Sequence, residues 1–300
     1  YGVKEFEFYL SDLNAKALLV LSGMDSPARA VARARGIPTV ELVPLLDAEA
    51  GRFELSGEKG NQPATGGYAQ PDDVALVLHT SGTTSRPKIV PLTHLNLCVS
   101  AHNIQKAYGL TGDDCCLNVM PLFHIHGLVA AILSTLVSGA SVVCTPGFRE
   151  SEFFGWMEQF HPSWYTAVPT MHQAILKRAE SQADIIARNP LRFVRSCSAA
   201  LPPQVMAELE NVFGVPALEA YGMTEAAHQM SSNPLPPAAR KPGSVGVATG
   251  LDIAIMDEQG SLLPRSERGE IVIRGQNVTQ GYENNPEANT TSFTQGWFRT

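Results

Sequence analysis

Val74-Ala75-Leu76-Val77-Leu78-His79 runs straight into Thr80-Ser81-Gly82-Thr83-Thr84-Ser85-Arg86-Pro87-Lys88. The first stretch is short, apolar and rich in strand formers, so it reads as a buried strand. The second is a hydroxyl- and glycine-rich loop, and a helix is expected after it, near residues 94–108. Open α/β sheets hold their ligands in such loops, at the carboxyl ends of parallel strands. Gly82 lets the backbone turn tightly and approach a ligand, the hydroxyls and backbone N–H groups suit polyphosphate oxygens, and Lys88 adds a positive point charge. An ordinary polar surface loop has the same composition; the position after the strand favours function. A Walker A loop is excluded, because no Gly precedes Lys88 and Ile89 stands where Ser or Thr would follow.

Outward from this segment, apolar runs alternate with helical patterns. Strands are expected at 16–21, 39–43, 115–120, 141–144, 164–168, 192–196 and 217–220, with helices at 27–35, 170–179 and 203–213. That alternation predicts a mostly parallel sheet with helices on both faces. The region 51–71 loses periodicity and collects Gly, Pro63 and Asn61-Gln62, so it is expected to be a loop or connector. After Pro242 the rhythm changes to alternating strands at 251–256 and 270–274, which predicts a barrel-like or sandwich segment with a boundary near Arg240. The apolar stretch 127–144 is long enough to consider as a membrane span, but Ser134, Thr135 and Ser138-Gly139-Ala140-Ser141 fit a buried helix, a turn and a buried strand better.

The chain has 300 residues, of which 44% are hydrophobic, enough for a large core. Its 22 Lys+Arg against 29 Asp+Glu leave a net charge of −7, which offers no basic footprint for nucleic acid or an anionic membrane. Five cysteines without Cys-x-x-Cys spacing suggest neither zinc chelation nor a disulfide framework, and point to a reducing compartment. Tyr1 to Leu10 carries no signal-peptide pattern. The chain opens on Tyr1 rather than Met and stops at Thr300 just after Gly296-Trp297-Phe298, so both ends look cut.

At TSGTTSRPK (80–88) the chain resembles the phosphate-binding loop of the AMP-forming, adenylate-making superfamily of acyl- and aryl-CoA ligases, luciferases and nonribosomal adenylation domains. PLFHIHG at 121–127, SCSAAL at 196–201, EAYGMTE at 219–225, KPGSVG at 241–246 and GEIVIRG at 269–275 resemble further motifs of that family, in the same order. One departure is Ile89, where the family usually has Gly. The resemblance implies the large N-terminal domain of the adenylate-forming fold, with stacked, mostly parallel sheets, helices and a β-barrel-like subdomain. It divides the chain into part of a first α/β subdomain and connector (1–70), a nucleotide- and acid-binding α/β core (71–240), and the start of the barrel-like subdomain (241–300). It also implies that the small C-terminal domain, with a catalytic Lys and much of the CoA site, lies outside these residues, and that this piece alone turns over poorly.

The residue roles implied combine the likeness with the chemistry of carboxylate activation, which needs a phosphate cradle, a Mg²⁺ ligand and an adenine slot. Thr83, Lys88 and Glu225 are the expected catalytic residues, with Glu225 as the Mg²⁺ ligand. ATP or AMP is expected at Thr80, Ser81, Gly82, Thr83, Thr84, Ser85 and Lys88. Its adenine side is expected at Ser198, Ala199, Ala200, Glu219, Ala220, Tyr221, Gly222, Met223 and Thr224, with Tyr221 lending an aromatic face and the small residues leaving room. His124, Ser198 and His228 are polar where a fatty-acid enzyme would want apolar walls, and could bind a second carboxylate. If Glu225 starts a helical turn, i,i+3 spacing puts His228 on its side. The runs TEAAHQMSSNPLPP (224–237) and RSCSAALPP (195–203) are similar to those of oxalate–CoA ligases. The likeness therefore implies ATP, Mg²⁺ and coenzyme A, with oxalate as the small acid partner, in the cytoplasm or, given a C-terminal signal, the peroxisome. A medium-chain fatty or aromatic acyl-CoA ligase is the alternative within the class, and a catalytically silent nucleotide-binding relative the alternative outside it.

Overall fold

The computed structural model describes residues 1–57, 67–80 and 87–300. The chain forms two compact units, Tyr1–Tyr68 and Ala69–Thr300. In the first, α1 (Val3–Asp12), β1 (Leu18–Leu21), α2 (Pro27–Ala34), β2 (Thr39–Pro44) and β3 (Phe53–Gly57) follow in order. Ser26 caps α2 by accepting from the Ala28 N–H, and Pro27 sits at the first helical position, where a missing N–H costs nothing. β2 pairs in parallel with β1 and antiparallel with β3. β3 corrects the expectation of a loop over 51–57: it is exposed along its whole length, so burial left no periodic mark on its sequence.

The second unit opens with β4 (Val74–Thr80) and β5 (Lys88–Thr93), and here the decisive stretch departs from its reading. β4 is not a buried parallel strand. It pairs antiparallel with β5 in a two-stranded ribbon, with Leu76 opposite Leu92, Leu78 opposite Val90 and Thr80 opposite Lys88. Leu76, Leu78, Val90 and Leu92 form its packed side, while Val74 is 54% exposed. An apolar run marks a strand without revealing its partner, and a half-buried ribbon and a sheet core produce similar runs. The helix after it is α3 (His94–Tyr108). Thr93 accepts from the Asn96 N–H, Asn96 returns a bond to the Thr93 N–H, and Gly109 closes the helix in the left-handed conformation.

The central sheet is built from β6 (Cys115–Asn118), β7 (Ser141–Cys144), β8 (Trp164–Ala167), β9 (Phe193–Ser196), β10 (Ala217–Met223), β11 (His228–Ser232) and β12 (Val247–Ala248), in the order β12-β11-β10-β9-β8-β6-β7. β6 to β10 are mutually parallel; at one edge β11 pairs antiparallel with β10, and β12 pairs antiparallel with β11. Successive side chains face opposite ways. Cys116, Trp164, Phe193 and Leu218 therefore join the core shared with α3, while Leu117, Tyr165, Val194 and Ala217 join a second core. That second core takes in α5 (Phe153–Phe160), α6 (Pro169–Ala179) and α8 (Pro203–Phe213). Residues 126–133 form a π-helix that runs into α4 (Ser134–Leu136), and β7 is an edge strand rather than a buried one. Short α7 (Ala183–Arg188) follows α6.

A five-stranded antiparallel sheet follows, formed by β13 (Asp252–Met256), β14 (Leu262–Leu263), β15 (Glu270–Arg274), β16 (Phe293–Thr294) and β17 (Trp297–Arg299), with α9 (Pro286–Ser292) before β16. Among the described residues, no helix is long and apolar enough to cross a membrane.

Candidate active site

Ser81, Gly82, Thr83, Thr84 and Ser85 lie outside the described residues. Their flanks are placed: Thr80 ends β4 and Lys88, its register partner, starts β5. Thr80 Oγ1 is buried with no hydrogen-bond partner among the described residues. The Lys88 ammonium stands 4.6 Å from the centre of the Tyr282 ring. Tyr282 donates its hydroxyl to Glu225 Oε1 at 2.8 Å, which holds the carboxylate in the turn between β10 and β11. One aromatic ring thus links the expected phosphate cation to the expected Mg²⁺ ligand. Burial, then the neighbouring carboxylate, pushes the Tyr282 phenol far above its ordinary range, so it stays a donor. Glu225 is itself buried, and among the described residues only Oε1 is engaged. A carboxylate held in a buried turn is chemically apt for Mg²⁺, which takes one or two carboxylates and completes its shell with phosphate and water.

Ser198, Ala199 and Ala200 form an exposed loop after β9. Glu219 anchors it from β10 by accepting the Leu201 N–H at 2.8 Å, while its Oε2 is buried and unpartnered among the described residues. Ala220, Tyr221, Gly222 and Met223 complete β10, and Thr224 begins the turn. Gly222 has a reason other than space for a ring: a Cβ there would stand 1.8 Å from the His228 carbonyl oxygen, where β10 and β11 close up around a bulge.

His228 does not lie on a helical turn with Glu225. Residues 224–226 make one 3-10 turn, Ala227 reverses at φ 48°, and His228 opens β11 at φ 104°. Ser198 is also left-handed, at φ 70°. Non-glycine residues in that region cost about 1–3 kcal/mol each and persist only where surrounding contacts hold them. Two of the three expected acid-binding residues are thus held by their surroundings in unfavourable backbone states.

The three expected residues converge on a fourth, His126, at the start of the π-helix. His126 Nδ1 lies 3.0 Å from Ser198 Oγ, and the His126 and His228 ring centres are 5.2 Å apart. The His126 backbone N–H donates to His124 Nδ1 at 3.1 Å. Burial pushes all three imidazoles below their ordinary value, most strongly at His126 and His228, where the Arg195 guanidinium adds to the effect. Both are neutral donors and acceptors at physiological pH. Arg195 sits at the centre of the cluster on β9, fully buried. Sequence reasoning weighed His126 only as a metal pair with His124, set aside for want of a third ligand, and passed over Arg195. His126 was visible in the PLFHIHG motif, and Arg195 as a charge inside a strand predicted to be buried.

The chain belongs to the AMP-binding enzyme family, whose pattern matches residues 1–283. It is 48% identical to oxalate–CoA ligase of Arabidopsis thaliana over 305 residues, covering 100% of this chain and 59% of that protein. Oxalate–CoA ligase of Saccharomyces cerevisiae is 43% identical, again over 100% of this chain and 59% of the relative. Among solved structures, ATP-bound MatB from Rhodopseudomonas palustris matches with a TM-score of 0.81 at 30% identity, covering 100% of this chain and 58% of that one. The chain therefore spans a little under three fifths of each of these three proteins.

Proposed function

We propose that this chain supplies the nucleotide- and acid-binding part of an AMP-forming acid–CoA ligase whose acid is oxalate. The observation that carries the reading is the cluster of His126, Ser198 and His228, compact and polar where an acyl chain would need apolar walls. The 43–48% identity to two oxalate–CoA ligases supports it. In the reaction, one oxalate oxygen attacks the α-phosphorus of ATP; a P–O bond forms, the bond to pyrophosphate breaks, and an oxalyl-adenylate results. The CoA sulfur then attacks the activated carbonyl; a C–S bond forms, AMP leaves, and the thiol proton is lost.

Under this reading Lys88 and the hydroxyls of the 80–88 loop hold the phosphates, and Tyr282 keeps Glu225 and Lys88 in place. Tyr221 and the 198–200 loop flank the adenine, while Ser198, His228 and His124 grip the second carboxylate, with His126 behind Ser198. Mg²⁺, held by Glu225, would neutralise charge on the phosphates. Residues 71–240 carry this core, and 241–300 open the barrel-like part. The five free cysteines suit a reducing compartment, and the cytoplasm is part of this reading. A pyrophosphate-release assay on the full-length protein that contains these residues, over oxalate, malonate, octanoate and coumarate, tests it. Oxalate should lead, and octanoate ahead of oxalate would sink it.

A further inference from the structure

Arg195 is a fully buried cation on a central strand, and its surroundings are unusual for one. A guanidinium has five N–H donors and no acceptor. Here Nε donates to the Tyr108 hydroxyl at 3.0 Å, Nη1 to Thr166 Oγ1 at 3.0 Å and to His126 Nε2 at 3.0 Å. Nη2 donates to Gln229 Oε1 at 2.9 Å and, more loosely, to His228 Nδ1 at 3.5 Å. Every partner is neutral. Among the described residues no carboxylate pairs with Arg195, although buried charges are as a rule paired. The hydrogen bonds are complete, and the charge is left over.

The same contacts decide where the imidazole protons sit. A proton on His126 Nε2 would point at the guanidinium, and Thr166 Oγ1, 2.6 Å from Nε2, already receives Nη1 and has its own hydrogen to give. His126 is therefore held as the Nδ1–H form, and that hydrogen goes to Ser198 Oγ. Ser198, exposed and with its acceptor side occupied, keeps its hydroxyl hydrogen for an incoming anion. By the same logic the guanidinium beside His228 Nδ1 leaves the proton on Nε2. Two side chains so oriented, Ser198 and His228, each keep a hydrogen to donate.

We propose that Arg195 is the positioning residue for acid selection: its five bonds set the proton positions of His126 and His228, and its unbalanced charge favours a dianionic over a monoanionic acid. The proposal rests on the acid-site reading above. It adds that selectivity for two carboxylates comes from a group that does not touch the acid.

The test measures kcat/KM for oxalate and for acetate in the full-length protein that contains these 300 residues, with ATP affinity followed separately by titration. Replacing Arg195 with Met should lower the oxalate-to-acetate ratio by about 30-fold while ATP affinity stays within a factor of three. Arg195→Lys keeps the charge but not the five-bond geometry, so the ratio should recover to within about fivefold of the parent while kcat stays low. Should Arg195→Met fail to fold, Gln229→Glu serves instead, since it sets a carboxylate against Nη2 and neutralises the charge with the arginine in place; the ratio should again fall by at least about tenfold. An unchanged ratio in a folded Arg195→Met or Gln229→Glu protein overturns the proposal, as does an equal loss of both acids. If the unaltered protein itself fails to favour oxalate over octanoate, the acid-site reading falls instead, and the two failures are distinguishable.

Discussion

Two arginines three residues apart, one just before β9 and one within it, have opposite surroundings. Arg192, just before the strand, reaches Asp114 with Nη1 at 2.6 Å; the carboxylate is buried, and the arginine side chain is 42% exposed. Ser163 and the Thr111 N–H complete the shell of Asp114. Arg195, inside the strand, is fully buried and finds only hydroxyls, an amide and imidazoles. The first arrangement is closed: each charge is answered, and its role ends with tying the loop before β6 to the start of β9. The second is hydrogen-bonded but electrostatically open. A protein retains such an arrangement at the cost of stability, and under the proposed function a second carboxylate of the acid would answer it.

The largest effect expected is at the closed end. Asp114→Ala removes the acceptor of Arg192, Ser163 and the Thr111 N–H together, and should cost about 3 kcal/mol in denaturant unfolding. The oxalate-to-acetate ratio should not move; a shift in it would mean that the two ends of β9 are coupled.

Acidification should separate the ends next. His126 and His228 are pushed well below 6.5, chiefly by burial, and His172, buried on α6, is pushed down to about 3 for the same reason. A folded-state value depressed below the unfolded one gives stability that is complete above the unfolded value and declines as pH falls beneath it. Unfolding free energy should therefore drop by about 2 kcal/mol between pH 7.5 and 6, as three imidazoles protonate only in the unfolded chain. Burial raises the Asp114 carboxyl, but hydrogen bonds from Ser163, Thr111 and Arg192 outweigh it and hold the group below 3.8. Its contribution is therefore complete above that value and is lost only as pH falls through its lower folded value. Flat stability from pH 7.5 to 6 would mean that the imidazoles are solvated, and the case for an electrostatically open Arg195 would weaken with it.

The smallest effect expected is for Arg192→Lys, which keeps the charge at a half-exposed position. It should cost about 0.5 kcal/mol and leave acid preference within twofold. A loss comparable to that of Arg195→Lys would erase the distinction between the two arginines.

Much of the fold was legible because local rules and tertiary packing agree. Ser141–Cys144 and Pro203–Phe213 occur over the expected residues, and His94–Tyr108 carries its cap at Thr93 and its stop at Gly109. Failures cluster where local sequence is silent about partners. Leu76 and Leu78 face a packed core in a ribbon as they would in a sheet, so the direction of pairing was hidden. Gly222 looked like space for a ligand and is instead room for the His228 carbonyl, which only the approach of β11 reveals.

The candidate site divides in the same way. Sequence by itself determined the family motifs, the alternation of strands and helices between residues 94 and 220, and the candidate polar residues His124, Ser198, Glu225 and His228, because each is a property of neighbours along the chain. Tertiary structure alone decided that His126 joins Ser198 to His228, that Tyr282 joins Lys88 to Glu225, and that Arg195 has no carboxylate among the described residues. Those relations link residues 57 to 194 positions apart, brought together by packing of the strands and turns that carry them. Whether a charge is balanced depends on the completed shell around it, and no run of sequence contains that shell.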